Sequence, residues 1–303
     1  MRKLIAVVGT NASGKSGLGI ALARKYGGEV ISADSRQVYR GLDLGSGKVT
    51  AEETQGVPHH LLDVCEPGSF FTMADFQRMA YAAIDDIHAR GRLPFLVGGT
   101  GLYIDAVCDG YVLSNIEPDL SYRRQLEGLS TRRLAEMLEE ALPGNGVDPR
   151  NRNRVMRQLE KLHDGDTQGA ARQPRYEVLK LGVTWDRKTL CDRIDERLER
   201  RMAAGMLDEV QRLLDAGVSE DFLYRLGLEY RYISQYLLGK SGSEEYMLEE
   251  LSKAIKRFAK RQMTWFRRDK DIRWLDMTGD AMAEAGALID EFISESMDSR
   301  RKE

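Results

Sequence analysis

Apolar positions along this chain follow two rhythms. Short continuous runs, "KLIAVVG" at 3–9, "GEVISAD" at 28–34 and "PFLVGG" at 94–99, have the length and β-branched content of strands buried on both faces. Between them the period lengthens to that of helices. One helix is predicted from Lys15 to Tyr26. A second follows Thr72, a suitable N-cap, and sets Met73, Phe76, Met79, Ala80, Ala83, Ile84 and Ile87 on one face. Two later runs, "EVLKLGVTW" at 177–185 and "IRWLDM" at 272–277, supply a fourth and a fifth strand. Strands separated by helices predict an α/β fold, a parallel sheet flanked by helices, with reactive groups where strands end and helices begin. From about Leu113 to Arg175 the strand signal stops. This arginine-rich, helical stretch is predicted to be an inserted all-helical domain (113–175) in a core formed by 1–112 and 176–303. Asp148-Pro149 is expected to open one of its helices, as cap and first helical residue.

Composition narrows the classes. With 303 residues, 42% hydrophobic and 31% charged, the chain can bury a full core and is not of the disordered type. A net charge of −3 means that a nucleic-acid surface has to be a local patch. Cys65, Cys108 and Cys191 lie far apart, which argues against a zinc site or a disulfide framework, and they are expected to be buried apolar residues. Arg2 and Lys3 precede an apolar run too short for a signal peptide, so a cytoplasmic protein with no membrane partner is expected.

The first strand runs into "GTNASGKS", Gly9 to Ser16. The spacing G-x-x-x-x-G-K-S, between a strand and a helix, makes a phosphate-binding loop (P-loop). The backbone N–H groups of Asn11, Ala12, Ser13, Gly14, Lys15 and Ser16 would face phosphate, Lys15 would add charge, and Ser16 would bind Mg²⁺. A nucleoside triphosphatase would add an acidic residue at the end of an apolar strand to organise the metal and the attacking water. Here the third strand ends in "FLVGGTGLYI", with Thr100 in that place. The carboxylate comes instead from the second strand, in "ISADSRQVY", where Asp34, Ser35 and Gln37 cluster at the sheet edge and suit proton removal from a bound group. Asp85-Asp86 lacks the third aspartate of D-D-x-x-D and reads as a solvated helix face. His59 and His60 are adjacent and read as structural.

A basic helix lies near the C-terminus. From Lys253 to Lys270 eight cations (253, 256, 257, 260, 261, 267, 268, 270) face one anion, Asp269. At about 100° per residue all but Lys270 fall on an arc of about 140°, with Leu251, Ile255, Phe258, Trp265 and Phe266 opposite. Such a face either meets phosphate or is merely solvated. Arg152, Arg154 and Arg157 form a second basic group within the insertion.

"GTNASGKS", "ISADSRQVYRGLDLG", "PHHLLDV", "FLVGGTGLYI", "NRVMRQLE" and "AKRQMTWFRRDK", in that order from residue 5 to about 276, resemble the bacterial tRNA dimethylallyltransferases (tRNA isopentenyltransferases). The resemblance implies a fold like that of the nucleotide kinases, whose phosphate loop, from Gly9 and Thr10 onward, holds the diphosphate of dimethylallyl diphosphate. It implies Mg²⁺ as cofactor and tRNA, through its anticodon stem-loop, as partner of a monomeric enzyme. Asp34 would take a proton from the exocyclic amine of the adenine 3′ of the anticodon, Thr100 would orient both, and Lys15 would meet the leaving pyrophosphate. Contacts to tRNA would involve Asp34, Ser35, Arg36, Gln37, Thr100, Arg123, Arg154, Arg157, Lys256, Lys260 and Arg267. The segment "YRLGLEYR" (224–231) departs from the family pattern, and Arg225 is the candidate there for a further diphosphate-binding arginine. A small-molecule kinase, an adenylate isopentenyltransferase and a non-catalytic RNA-binding protein stay open as rival readings.

Overall fold

The computed structural model describes residues 1–113, 119–165 and 171–299. They divide into two compact units, one from Met1–Gly110 with Pro174–Glu303, the other from Tyr111–Gln173.

The larger unit is built on a six-stranded, wholly parallel sheet. Its strands are β1 (Arg2–Gly9), β2 (Glu29–Ala33), β3 (His59–His60), β4 (Pro94–Gly98), β5 (Tyr176–Thr184) and β6 (Arg273–Asp276), in the order β3-β2-β4-β1-β5-β6. The predicted five strands are all present. The sixth, β3, is two residues long and has no apolar run to announce it. It pairs His59 with Val30 and His60 with Ile31 at the sheet edge. His59 Nδ1 lies 2.8 Å from the Val57 carbonyl and His60 Nε2 lies 2.7 Å from Glu29, so both rings serve the edge strand.

Alternation along β1 sorts its side chains between two layers. Leu4, Ala6 and Val8 join Phe76, Ala80, Ile84 and Ile87 of α2 (Met73–Ala89) and Ile104 and Val107 of α3 (Gly101–Cys108). Ile5 and Val7 pack on the other face against α1 (Lys15–Lys25) and a C-terminal helix that starts at Ala281. Thr72 caps α2 in a reciprocal box with Asp75, which fixes where that helix starts. Asp85 and Asp86 are exposed, as expected.

The smaller unit contains α4 (Leu120–Glu127), α5 (Thr131–Ala141) and α6 (Arg152–His163) around Leu126, Leu134, Leu138, Val155, Met156 and Leu159. The expected helix start at Asp148-Pro149 needs correction. Residues 148–151 form a turn, with the Asn151 N–H donating to the Asp148 carbonyl at 2.9 Å, and Asn151 is the cap of α6. Asp148 spends its carboxylate on the Arg150 N–H, an Asx turn, and cannot also cap.

In the larger unit, five helices follow β5: α7 (Arg187–Ala203), α8 (Met206–Asp215), α9 (Glu220–Leu226), α10 (Leu228–Leu237) and α11 (Glu244–Phe266). They share a third core containing Ile194, Leu198, Val210, Tyr230, Ile233 and Leu251. The last helix, α12, is Ala281–Ser299. Of the cysteines only Cys108 is buried; Cys65 and Cys191 are partly exposed, and all three are free thiols. No described helix is long and apolar enough to cross a membrane.

Candidate active site

The phosphate loop leaves β1 at the switch point of the sheet, where β1 lies between β4 and β5 and the chain's next strand, β2, lies beyond β4. Gly14 supplies the left-handed turn (φ +87) that starts α1, and Ala12 also has positive φ (+59). The loop is pinned from behind. Ser13 Oγ donates to the Thr10 carbonyl at 2.8 Å, the Trp185 indole N–H to the Ser13 carbonyl at 2.9 Å, and Arg193 Nε to the Ala12 carbonyl at 3.0 Å. With these carbonyls held, N–H groups are left for an anion. Asn11 and Ser13 are exceptions: the Asn11 N–H donates to Gln262 Oε1 at 2.9 Å and the Ser13 N–H, more weakly, to the Thr10 carbonyl at 3.4 Å, so the expected phosphate contacts from those groups are corrected. Gln262 is buried in α11 and donates from its amide nitrogen to the Gly99 carbonyl at 2.9 Å. One amide thereby ties the phosphate loop to the end of β4.

The loop opens on a cleft of about 360 Å³ lined by Lys15, Ser16, Asp34, Gln37, Arg193 and Arg197, among others. Burial pushes the Lys15 amine down to about 8, Arg197 pushes it the same way, and Asp34 pulls it back up. Burial, then the neighbouring Arg201, lowers the pKa of Arg197 as well. These are desolvated cations, and an anion entering the cleft meets them with little screening.

Asp34 stands just past the end of β2. One of its oxygens accepts the Arg36 N–H at 2.9 Å. Thr100 occupies the N-cap position of α3 but makes no side-chain cap. Its hydroxyl instead accepts the Ser35 N–H at 3.1 Å, which joins the end of β4 to the residue after Asp34. Gln37 accepts from Ser32 Oγ at 2.9 Å and donates to the Gly47 carbonyl at 3.1 Å. The loop containing Ser46 and Gly47 forms another wall of the cleft. Buried Glu209 accepts the N–H groups of Asp43, Leu44 and Gly45 at 2.7–3.1 Å and holds that loop.

Several predicted residues lie elsewhere or do something else. Arg225 does not line the cleft; it is on α9, exposed, and paired with Asp221 at 2.9 Å. The arginines of the cleft come from α7, where Arg193, Arg197 and Arg200 recur on one stripe. Nothing local marks that helix as part of a site, and the stripe itself was the signal available in the sequence. Arg36, expected on tRNA, is buried and paired with Glu229 at 2.6 Å, so its side chain is not an RNA-facing group. Arg152 donates to the carbonyls of Leu126, Glu127 and Leu129 and closes the end of α4. Arg154 is exposed, whereas Arg123 and Arg157 both reach buried Glu160 at 3.3 Å.

On α11, Leu251, Ile255, Ala259 and Phe266 are buried, and Arg257, Lys260 and Arg261 are exposed on the far side. The helix ends at Phe266, so Arg267, Arg268 and Lys270 lie beyond its regular face. Lys256 is engaged by Asp195 at 2.5 Å, and Lys253 by Glu249 at 2.6 Å. Arg257, Lys260 and Arg267 border a groove floored by Trp185, Leu190 and Met263.

The family description "IPP transferase" matches residues 37–269, and "Isopentenyl transferase" matches residues 2–69. The chain belongs to the IPP transferase family. Among relatives of this family, tRNA dimethylallyltransferase 2 of Syntrophotalea carbinolica is 46% identical over 287 residues, covering 92% of this chain and 96% of the relative. The tRNA dimethylallyltransferase of Geobacillus thermodenitrificans is 43% identical over 288 residues, 91% of each. The crystal structure of full-length tRNA isopentenylpyrophosphate transferase from Bacillus halodurans superposes with a TM-score of 0.75 at 38% identity, covering 100% of this chain and 99% of that one. A eukaryotic dimethylallyltransferase, 24% identical, shares the fold of this IPP transferase family member with a TM-score of 0.83 over 97% of this chain and 80% of its own.

Proposed function

We infer that this chain transfers the dimethylallyl group of dimethylallyl diphosphate to the exocyclic amine of the adenine 3′ of the anticodon in tRNA. The observation that carries this reading is the shared cleft: the Asp34 carboxylate lines the same cavity as the phosphate loop, Lys15 and Arg197. An exocyclic adenine amine is a weak nucleophile because its lone pair is delocalised into the ring, so a positioned base is worth most here. The nitrogen bonds to the allylic carbon, and the carbon–oxygen bond to diphosphate breaks with its electron pair on the leaving pyrophosphate. The nitrogen's proton passes to Asp34. Phosphate-loop N–H groups, Lys15 and Arg197 meet the growing charge on the leaving group. Thr100, bonded to the Ser35 N–H, keeps the Asp34 segment against β4.

The residues fit a magnesium ion that takes most of its ligands from substrate. Ser16 lines the cleft, and the described residues contain no cluster of three His, Cys, Asp or Glu side chains able to cage a metal alone. Mg²⁺ bound to Ser16 and the diphosphate would neutralise charge on the leaving group.

The cations of α11 and the exposed arginine of α6 suit an RNA backbone, and a loop adenine can be turned outward into a cleft. We propose further that the enzyme is a monomer and works in the cytoplasm. Incubating tRNA with the protein, dimethylallyl diphosphate and Mg²⁺, then digesting it for mass spectrometry, should give a dimethylallylated adenosine. Unmodified tRNA, or stoichiometric ADP when ATP is offered instead, would move the assignment to a kinase.

A further inference from the structure

Four cations gather at the cleft and just behind it: Lys15 and Arg197 line it, and Arg36 and Arg201 line, with Arg197 and Glu229, a small neighbouring cavity. The Nη2 atoms of Arg197 and Arg201 fill the space that a Cβ on Gly47 would take. The carboxylates that act on this cluster are Asp34, the base in the reading above, and Glu229. Glu229 is 2% exposed. It stands in the first turn of α10, where the helix dipole favours a negative charge, directly after Leu228 at φ +43. One of its oxygens is 2.6 Å from Arg36 Nη1 and the other 3.4 Å from Arg201 Nη1. Arg36 is two residues from Asp34 and donates its backbone N–H to that carboxylate, and the Asp34 charge also acts on its guanidinium, second to that of Glu229.

We propose that Glu229 is a positioning residue for the transfer step: it binds the Arg36 guanidinium and thereby keeps it off the Asp34 carboxylate, leaving an oxygen of that base open to the adenine amine. The inference rests on the reading of Asp34 as base. A carboxylate paired with a guanidinium is a weaker base, and its lone pairs are taken. Once Glu229 is uncharged, Arg36 turns to the one remaining carboxylate. Diphosphate binding does not suffer in the same way, since all four cations remain and the site has one negative charge fewer. Loss of Glu229 therefore separates the two kinetic parameters, which simple loosening of the site would move together.

The test uses the full chain with an anticodon stem-loop and dimethylallyl diphosphate. Glu229→Gln should lower kcat by about 10- to 100-fold while KM for the diphosphate stays level or falls, and Glu229→Asp should recover part of kcat. Arg36→Met combined with Glu229→Met removes cation and anion together, a change that buried pairs tolerate, and should turn over faster than Glu229→Gln. If Glu229→Gln does not fold, the double variant decides alone, because kcat more than about 100-fold below wild type would show that freeing Asp34 from a cation is not what matters. A wild-type kcat in Glu229→Gln, or a kcat loss with a parallel rise in KM, overturns the proposal. Asp34→Asn in the same assay should lose about 10²- to 10⁴-fold in kcat. If it turns over normally, the base assignment is wrong and the proposal falls with it. If it is inactive while Glu229→Gln is normal, only the role of Glu229 is lost.

Discussion

Lys15 is held in a place that disfavours its charge. With its amine brought down to about 8 by burial and by Arg197, the empty enzyme loses a cation as pH rises through that value. The cationic form is the one that receives diphosphate, so kcat/KM should fall above about pH 8, by up to tenfold per unit. In the complex the bound anion restores the amine's affinity for its proton, and kcat should stay level to higher pH. A kcat/KM profile flat to pH 9.5 would remove Lys15 from that role. Trp185 acts on the same loop from behind, through one N–H. Trp185→Phe keeps the ring and drops the bond to the Ser13 carbonyl, which should weaken diphosphate binding by about 1 kcal/mol, a KM rise of roughly fivefold; an unchanged KM would mean that the loop holds its shape without it. Lys15 and Asp34 were legible because each stands in a short run whose order already states its surroundings. Trp185 and Gln262 were not, since each bonds to the loop from 172 or more positions away in sequence, and no periodicity encodes that distance.

At the scale of elements, continuous apolar runs gave away the five long strands, and the Thr72 cap located α2. β3 escaped because its pairing to β2 comes from backbone geometry at the edge and not from apolar content. The start of α6 was misplaced because proline after aspartate opens turns as readily as helices, and here Asn151 offered a better cap three residues on. For α11 the periodicity picked out Leu251, Ile255 and Phe266, which are buried, but not that Phe258 is only partly covered, nor which cations were already spoken for. That difference can be measured. Neutralising Arg257, Lys260 and Arg267 together should weaken tRNA binding and reduce the slope of log K against log salt by about 0.7 to 0.9 per residue. Lys256→Gln should change the slope less, because Asp195 already holds that amine. Equal slopes for the wild type and the triple variant would make the face a solvated one.

The whole molecule carries more basic surface than the cleft needs. A P-loop, an aspartate and a threonine would serve a free adenine nucleotide equally well, and the transfer chemistry would be the same. What sets this chain apart is the separate unit of Tyr111–Gln173 with its own core, and the cations of α11 outside the cleft. Binding energy from parts of a substrate remote from the reacting atoms accelerates the reaction when it is used to orient the reacting groups. AMP can fill only the cleft and forfeits all of that energy. An anticodon stem-loop with adenine 3′ of the anticodon should therefore react with a kcat/KM on the order of 10³-fold or more above that of AMP, measured by pyrophosphate release at equal dimethylallyl diphosphate. The advantage should shrink as salt is raised, because the extra contacts are to phosphate. Comparable values for AMP and the stem-loop would assign the basic surfaces to something other than the acceptor and make a free nucleotide the substrate.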